Sequence, residues 1–181
     1  MMTTESTPGG RTQRYYGKYR GTVRINVDPE QIGRVMLQVP DVLGNALSNW
    51  ALPCLPAAGI QSGCFIVPPV GSKVWVEFEQ GDSNYPIWTG GFWGQGEVPS
   101  PALSPPPIPA GQNFVIQTTG RSMLVLSDAP PTSDSGGILL KSGDASILVN
   151  AIGIFIDNGH GATMQLVGNS VDINSGALTV T

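Results

Sequence analysis

A short repeat near the end of the chain constrains its fold more than any other feature. Residues 164–181 read "MQLVGNSVDINSGALTVT", in which two apolar residues flank a polar one and a turn containing Gly or Asn follows. Residues two positions apart in a β-strand point to the same face, so each pair presents both side chains together. The pairs recur every seven residues, except where "NGHGA" lengthens one interval to ten: Ile147/Val149, Ile154/Ile156, Met164/Leu166, Val171/Ile173 and Leu178/Val180. This period indicates a stacked array of short strands.

One chain of such strands cannot bury its own apolar face. Seven residues supply one strand and one corner, at about 3.3 Å per residue, which is too short for a full solenoid circuit. The exposed face would aggregate unless other copies covered it. Three copies around a threefold axis would close the circuit as a triangular prism, with the apolar pairs on the axis. The predicted axis core of this homotrimer is Leu124, Leu126, Ile147, Val149, Ile154, Ile156, Met164, Leu166, Val171, Ile173, Leu178 and Val180.

The N-terminal half has a different pattern. Segments 19–27 and 33–40 are β-like runs separated by "DPEQI", a turn that begins with Asp-Pro. Farther along, Val74, Val76 and Phe78 fall on one face of a strand, and the residues between them fall on the other. About five strands in some eighty residues, with no helical periodicity, predict a small closed barrel.

A proline-rich segment separates the two halves. Residues 97–110, "EVPSPALSPPPIPA", contain six prolines, which remove backbone donors and favour an extended, PPII-like run. The chain is therefore predicted to be all-β. Its predicted organisation is a flexible N-terminal arm over 1–14, a barrel domain over 15–96, a Pro-rich linker over 97–112 and a trimeric β-prism over 113–181.

Composition and charge argue against several classes of protein. Charged residues make up 12% of the chain, alongside 24 Gly and 16 Pro, which favours strands and turns over helices. No run of eighteen apolar residues predicts a membrane span. The start, "MMTTESTPGGRTQRYY", lacks the apolar core of a secretory signal, so synthesis in the cytoplasm is expected. The net charge of −4 argues against a general nucleic-acid binder.

Three segments, taken in order, resemble one known family. They are "YRGTVRINVDPEQIGRVMLQVPDV", "WALPCLPA" and "PPVGSKVWVEFEQGDSNYPIWTGG". In this order they are similar to the OB-fold domain of the phage baseplate assembly protein V group. That group includes central spikes of contractile phage tails, VgrG-type spikes of type VI secretion and spikes of extracellular contractile injection systems. The repeats "GRSMLVL" and "GDASILV" likewise resemble the trimeric β-prism, an intertwined β-helix, of the same family.

The resemblance implies a spike at the front of the inner tube, driven through the target envelope when the sheath contracts. The chain is too short to include the hub domains fused in VgrG proteins, so a separate hub trimer is implied. A PAAR-type tip protein is expected on the last strand, at Leu178, Thr179, Val180 and Thr181. The basic, Tyr-rich start gives a candidate hub contact at Arg14, Tyr15, Tyr16 and Arg20. The target membrane would be met only transiently, on puncture.

Candidate catalytic and metal-binding residues are few. Glu77 and Glu79 could form a carboxylate pair of the kind that hydrolyses glycosides, although a solvated pair on a strand is the commoner arrangement. His160, the sole histidine, could bind a metal at a threefold axis, but its Gly-flanked turn favours an exposed loop residue. Cys54 and Cys64 are predicted to be buried, reduced thiols. No enzyme activity, metal or other cofactor is predicted.

The alternative function is single-stranded nucleic-acid binding, a common use of OB-folds. That mode needs aromatic side chains along a cationic groove. The chain has the aromatics, but its cations are concentrated near the N-terminus and acids are frequent elsewhere, so no nucleic-acid partner is predicted. The aromatics concerned are Tyr15, Tyr16, Tyr19, Trp75, Trp88, Phe92 and Trp93.

Overall fold

The chain divides into two compact units. The described residues are mainly β-structure, which confirms the predicted all-β class. A computed structural model describes residues 13–103, 113–130, 132–134 and 136–180. The first unit extends to Gly94, and the second begins at Gln95. The helical segments within these ranges are α1 (Pro40–Leu43) and two 3₁₀ turns, Glu79–Gly81 and Ser100–Leu103. None of the described helices is long and apolar enough to cross a membrane.

The first unit is a curled five-stranded sheet of OB type. Its strands are β1 (Tyr19–Ile25), β2 (Met36–Gln38), β3 (Leu52–Cys54), β6 (Lys73–Phe78) and β7 (Pro86–Gly91), with a two-stranded hairpin formed by β4 (Ala58–Gly59) and β5 (Ser62–Gly63). The order in the sheet is β2-β1-β6-β7-β3. Val35 and Ala51 exchange both backbone hydrogen bonds, at 3.2 and 2.8 Å, and so join the β2 side of the sheet to the β3 side. This bridge closes the barrel.

The alternation read from β6 is confirmed by burial. Val74, Val76 and Phe78 point into the barrel and are buried, while the residues between them are half-buried on the outside. Trp88 of β7 is also buried, and its indole nitrogen donates to the carbonyl of Gly33 at 3.1 Å. Burial of these side chains supplies the hydrophobic stabilisation of the barrel. The complete core is Val23, Val35, Leu37, Val39, Ala51, Val74, Val76, Phe78 and Trp88.

A buried carboxylate holds the turn between β1 and β2. Asp28 accepts backbone hydrogen bonds from Glu30, Ile32 and Arg34 at 3.0 to 3.2 Å. The Arg34 guanidinium also donates to Asp28 at 2.7 Å, and this contact, together with the backbone donors, holds the pKa of the Asp28 carboxyl far below its usual range. Arg34 lies over the ring of Trp50 at 5.5 Å and pairs with Glu30 at 3.1 Å. The carboxylate thus reinforces a turn in which the backbone of Gln31 also donates to the carbonyl of Asp28, at 3.1 Å.

The second unit is one antiparallel meander of eight strands. They are β8 (Asn113–Gln117), β9 (Met123–Ser127), β10 (Gly137–Ser142), β11 (Ala145–Val149), β12 (Gly153–Asp157), β13 (Thr163–Val167), β14 (Ser170–Ile173) and β15 (Leu178–Val180). Each strand pairs with the next along the chain, so β8 and β15 form the two edges of the sheet. The strand pairings that order this unit therefore join neighbours along the chain.

Two expectations from the sequence are wrong. Cys54 and Cys64 are exposed rather than buried. Cys54 lies on the outer face of the short strand β3, and Cys64 follows the small β4–β5 hairpin, so neither reaches the barrel core. The linker does not run extended throughout, because Ser100–Leu103 closes a 3₁₀ turn in which Ala102 donates to Pro99 at 2.9 Å. The rest of the linker, 104–112, lies outside the described residues, as does the N-terminal arm up to residue 12.

Candidate trimer interface

The apolar pairs of the second unit form two continuous rows on one face of the sheet. The pairing registers place Ile147 opposite Ile156, and Val149 opposite Ile154, and the same relation continues from strand to strand. Row A consists of Ile116, Leu124, Leu140, Ile147, Ile156, Met164, Ile173 and Leu178. Row B consists of Phe114, Leu126, Ile138, Val149, Ile154, Leu166, Val171 and Val180. Both rows cross all eight strands without a polar residue.

This face is exposed in a single chain. Twelve of the sixteen side chains have 36% to 58% of their surface accessible, and the other four are half-buried. Exposed apolar patches of this extent mark interaction surfaces. On the opposite face, the central positions are apolar from Val115 to Phe155 and then become polar at Gln165 and Asp172. The rows, in contrast, stay apolar to the last strand, so the need for a partner extends along the whole sheet.

A groove runs beside row A. It has a volume of about 830 Å³ and is lined by row A side chains and by small or polar residues of the neighbouring turns, among them Ser122, Ser142, Ala145 and Ala162. The turns on this side contact one another: the hydroxyls of Ser122 and Ser142 lie 3.1 Å apart, and the side chain of Asn174 accepts from the backbone of Thr163 at 2.9 Å. These contacts join neighbouring turns along the border of the groove.

All twelve residues predicted for the axis core lie in these rows, and the structure adds four more. Phe114, Ile116, Ile138 and Leu140 occupy the same face. The seven-residue period misses them because the connection between β9 and β10 spans positions 128–136 and breaks the spacing. Period-two alternation in "NFVIQ" and "GILLKS" was the signal that could have identified them. The placement of these rows on a threefold axis stays a prediction.

The residues predicted to hold a tip protein belong to the edge strand β15. Leu178 and Val180 are 55% and 58% exposed and end rows A and B. Thr179 pairs with Asp172 through the backbone. Thr181 lies outside the described residues. Within the part of the chain that is described, the outer backbone edge of β15 pairs with no other strand.

The side chains of three of the four predicted hub-contact residues make contacts within their own chain. The ring of Tyr15 packs against Phe78, with the centroids 6.1 Å apart. Arg14 pairs with Asp82 at 3.5 Å, and the Arg20 guanidinium lies 5.8 Å from the ring of Trp75. Tyr16 is 70% exposed, and its backbone carbonyl accepts from the Tyr19 hydroxyl at 3.2 Å. Sequence reasoning did not anticipate that this segment is anchored to the barrel.

The candidate catalytic groups lie apart from any shared site. Glu77 forms an exposed ion pair with Lys18 at 2.7 Å. His160 is exposed in the turn between β12 and β13, where its ring nitrogen Nδ1 lies 2.9 Å from the carbonyl of Asn158. No group of three or more His, Cys, Asp or Glu side chains among the described residues is placed to hold a metal ion.

Comparison with known proteins accounts for both units. A family model described as the type VI secretion system/phage-baseplate injector OB domain matches residues 19–93. A second, described as the phage baseplate V C-terminal trimerisation domain, matches residues 113–179. A search of curated proteins returned no match. The two matched domains occur in the order that the sequence predicts, and together they cover more than three quarters of the chain. The chain therefore belongs to the phage baseplate V and VgrG-like spike proteins, homotrimeric components of the baseplates of contractile injection machines.

Proposed function

We propose that this spike pierces the target envelope when the sheath contracts, and that it does so as a passive mechanical element. The observation that supports this role is the pair of apolar rows that crosses all eight strands of the trimerisation domain. With the rows of three chains on a common axis, the apolar residues form a dry core along the whole shaft. Folding and assembly of such a shaft are a single event, because one chain has no core of its own.

The direction of the backbone hydrogen bonds suits this role. In a meander, the bonds between successive strands run perpendicular to the strands and therefore along the length of the array. Each of the seven strand-to-strand pairings of the sheet is antiparallel and joins neighbours in the chain. An axial load is then carried by ladders of hydrogen bonds, and no strand edge is left open along the sides of the shaft.

A PAAR-type tip protein is proposed to sit on the β15 end. Three copies of the β15 edge, with the exposed Leu178 and Val180 inside them, would offer a ring of apolar side chains and unpaired backbone groups. A partner could pair its own strands with the backbone groups and cover the apolar side chains with apolar residues of its own. Leu178→Asp would remove this docking surface while leaving the pairing of β8 to β14 intact.

The experiment uses whole particles. Particles assembled with Leu178→Asp are compared with particles carrying Gln165→Asp, which adds the same charge on the opposite face of the sheet. Mass spectrometry reports the tip protein, and dye release from target cells reports piercing. We expect the Leu178→Asp particles to lose the tip and most of the dye release. Full retention of both would contradict the proposed docking end, and particles without any spike that still pierce would contradict the proposed function.

The hub contact is proposed for the exposed part of the N-terminal segment, with Tyr16 as its centre and Arg14 beside it. The ion pair of Arg14 with Asp82 is long and partly exposed, so it can be exchanged for a contact to a hub carboxylate at little cost. Binding of the purified hub trimer is expected to fall with Tyr16→Ala and with Arg14→Glu. Lys18→Glu, the same charge change at a neighbouring exposed cation, is the matched control.

We propose no catalytic role for this chain. Glu77 is neutralised by Lys18, and the ring of His160 is engaged in its own turn. Neither has the partnered geometry that general acid–base catalysis needs. Incubation of the purified trimer with peptidoglycan and with peptide substrates is expected to release no product, and turnover that survives Glu77→Gln and His160→Ala would point to a site elsewhere.

A further inference from the structure

The connections between strands lie along the two lateral borders of the trimerisation sheet, and these two borders, which we call its sides, carry different residues. One side carries the turns 118–122, 143–144, 158–162 and 174–177, and we call it the groove side because residues in or next to these turns line the groove. The other side carries the connections 128–136, 150–152 and 168–169, which we call the Ile152 side. In a closed ring of three copies, each contact joins two different surfaces, one from each neighbour. The groove side of one copy therefore meets the Ile152 side of the next.

Ile152 is an unusual residue for its position. It lies in a three-residue turn between β11 and β12, and 61% of its surface is exposed, more than for any residue in rows A and B. The turn is braced, since the side-chain oxygen of Asn150 accepts from the backbone of Ile152 at 2.9 Å and of Gly153 at 3.1 Å. Turns of this kind are usually polar. A turn that is held in place by hydrogen bonds and exposes a large apolar side chain is suited to inserting that side chain into a groove of a partner.

The groove offers space at the matching level. In a meander, the connections alternate between the two sides, so the turn of Ile152 lies one strand above the turn at 143–144 and one strand below that at 158–162, about 4.8 Å from each. A cyclic trimer has no rise between copies, so the same levels meet across the contact. There the groove is bordered by the small side chains of Ala145 and Ala162 and by Asp157 and Asn158 between them.

We propose that Ile152 of each protomer inserts into the groove of the next, beside Ala145 and Ala162, and so fixes the order of contacts around the ring. The occupant is a second copy of this chain because the groove is continuous with row A, and row A belongs to the domain that the family comparison assigns to trimerisation. The inference rests on the homotrimer and is independent of the proposed piercing role.

Disulfide trapping tests the contact directly. In a Cys54→Ser and Cys64→Ser background, Ile152→Cys is combined with Ala145→Cys or with Ala162→Cys, the chain is purified as the full-length trimer, and it is oxidised and run on a denaturing gel without reductant. We expect a covalent trimer from at least one pair. Residues 152 and 162 of one chain lie at opposite ends of β12, which has five residues. At about 3.3 Å per residue they are about 16 Å apart, which is too far for a disulfide within one chain.

Controls distinguish this contact from other arrangements. Ile152→Cys alone and Ile152→Cys with Asn169→Cys, both on the Ile152 side, are expected to give no covalent trimer. Co-expression of a chain carrying only Ile152→Cys with a chain carrying only Ala162→Cys, or only Ala145→Cys, should give disulfide-linked dimers. Such dimers would prove that the bond joins different copies. A disulfide between two copies of Ile152→Cys would overturn the proposed contact. So would the absence of any disulfide in a chain that light scattering shows to be trimeric. Neither result would contradict the assignment of the chain as a spike protein. A chain that is monomeric before oxidation overturns the trimer itself.

Discussion

Ile154 lies directly opposite Leu166 across the β12–β13 pair, and both belong to row B of the exposed apolar face. Their side chains meet solvent in one chain, and we predict that they meet in a common core in three. The first prediction follows from this pairing. Ile154→Asp, or Val171→Asp in the same row, would bury three like charges in that core, and an unpaired buried charge costs several kcal/mol.

For both variants we expect a mass near 19.0 kDa by light scattering, against about three times that value for the parent chain. The parent should also resist mild SDS without heating. Gln165→Asp, one position from Leu166 and on the opposite face, is the control and should stay trimeric. A stable trimer of Ile154→Asp would refute the inward placement of row B.

Gly153 is predicted to be intolerant of a side chain. A Cβ atom at this position would overlap the backbone carbonyl of Leu166, which pairs within the β12–β13 ladder. The strands would have to separate locally, so Gly153→Ala should destabilise the trimer by about 1–3 kcal/mol per chain. Thermal unfolding followed by circular dichroism measures the effect. A Cβ atom at Gly120 would make only an ordinary contact with the Thr118 hydroxyl, at 3.9 Å, so Gly120→Ala should unfold as the parent does.

Trp88 is predicted to stabilise the barrel through its hydrogen bond as well as its size. Trp88→Phe keeps an aromatic ring in the core but leaves the Gly33 carbonyl without its donor. We expect a loss of about 1–3 kcal/mol in the free energy of unfolding of the barrel, measured by denaturant titration. Trp93→Phe makes the same replacement at a residue that is 65% exposed. Equal stability of the two variants would show that the buried hydrogen bond contributes nothing.

The Asp28 network predicts a dependence of barrel stability on pH. The pKa of the Asp28 carboxyl is lowered in the folded chain, chiefly by the Arg34 guanidinium, so the ionised form is the one that folding favours. Its contribution is complete above the ordinary Asp value of about 3.9 and is lost as the pH falls from there toward the depressed folded value.

Asp28→Asn should therefore lower the thermal unfolding midpoint at pH 7, and its difference from the parent should shrink as the pH falls below about 4. Glu30→Gln alters an exposed partner of the same arginine and should have a smaller effect. A difference between Asp28→Asn and the parent that stays constant down to pH 2 would contradict the assigned role of the ionised carboxylate.

The repeated part of the fold could be predicted from the sequence because it depends on local order. Each strand pairs with its neighbour in the chain, so a two-residue alternation was enough to place Leu166 and Val171 on one face. The unpredicted parts depend on contacts between distant or irregular segments. Nothing in the sequence around Val35 and Ala51 shows that they pair and close the barrel. The exposure of Cys54 likewise follows from the shortness of β3 rather than from residue type.

The candidate site was predicted in part for the same reason. Row membership follows from alternation, whereas the groove depends on which turns contact one another. The hydroxyl contact between Ser122 and Ser142 joins residues twenty positions apart and leaves no periodic signal. The anchoring of Arg14 and Tyr15 against the barrel depends on residues near position 80, which no local pattern could indicate.

The unequal lengths of the connections have a consequence for how three identical chains find one alignment. Apolar rows of near-uniform composition would bury almost as much surface if one chain were displaced along the axis by a whole hairpin. The connections on one side of the sheet span 118–122, 143–144, 158–162 and 174–177, and those on the other side span 128–136, 150–152 and 168–169, so neighbouring connections on the same side differ in length. A displaced chain would set a wide turn against a narrow one at every such level. The unequal lengths of neighbouring connections therefore favour a single register of the three chains, which a perfectly regular repeat could not do.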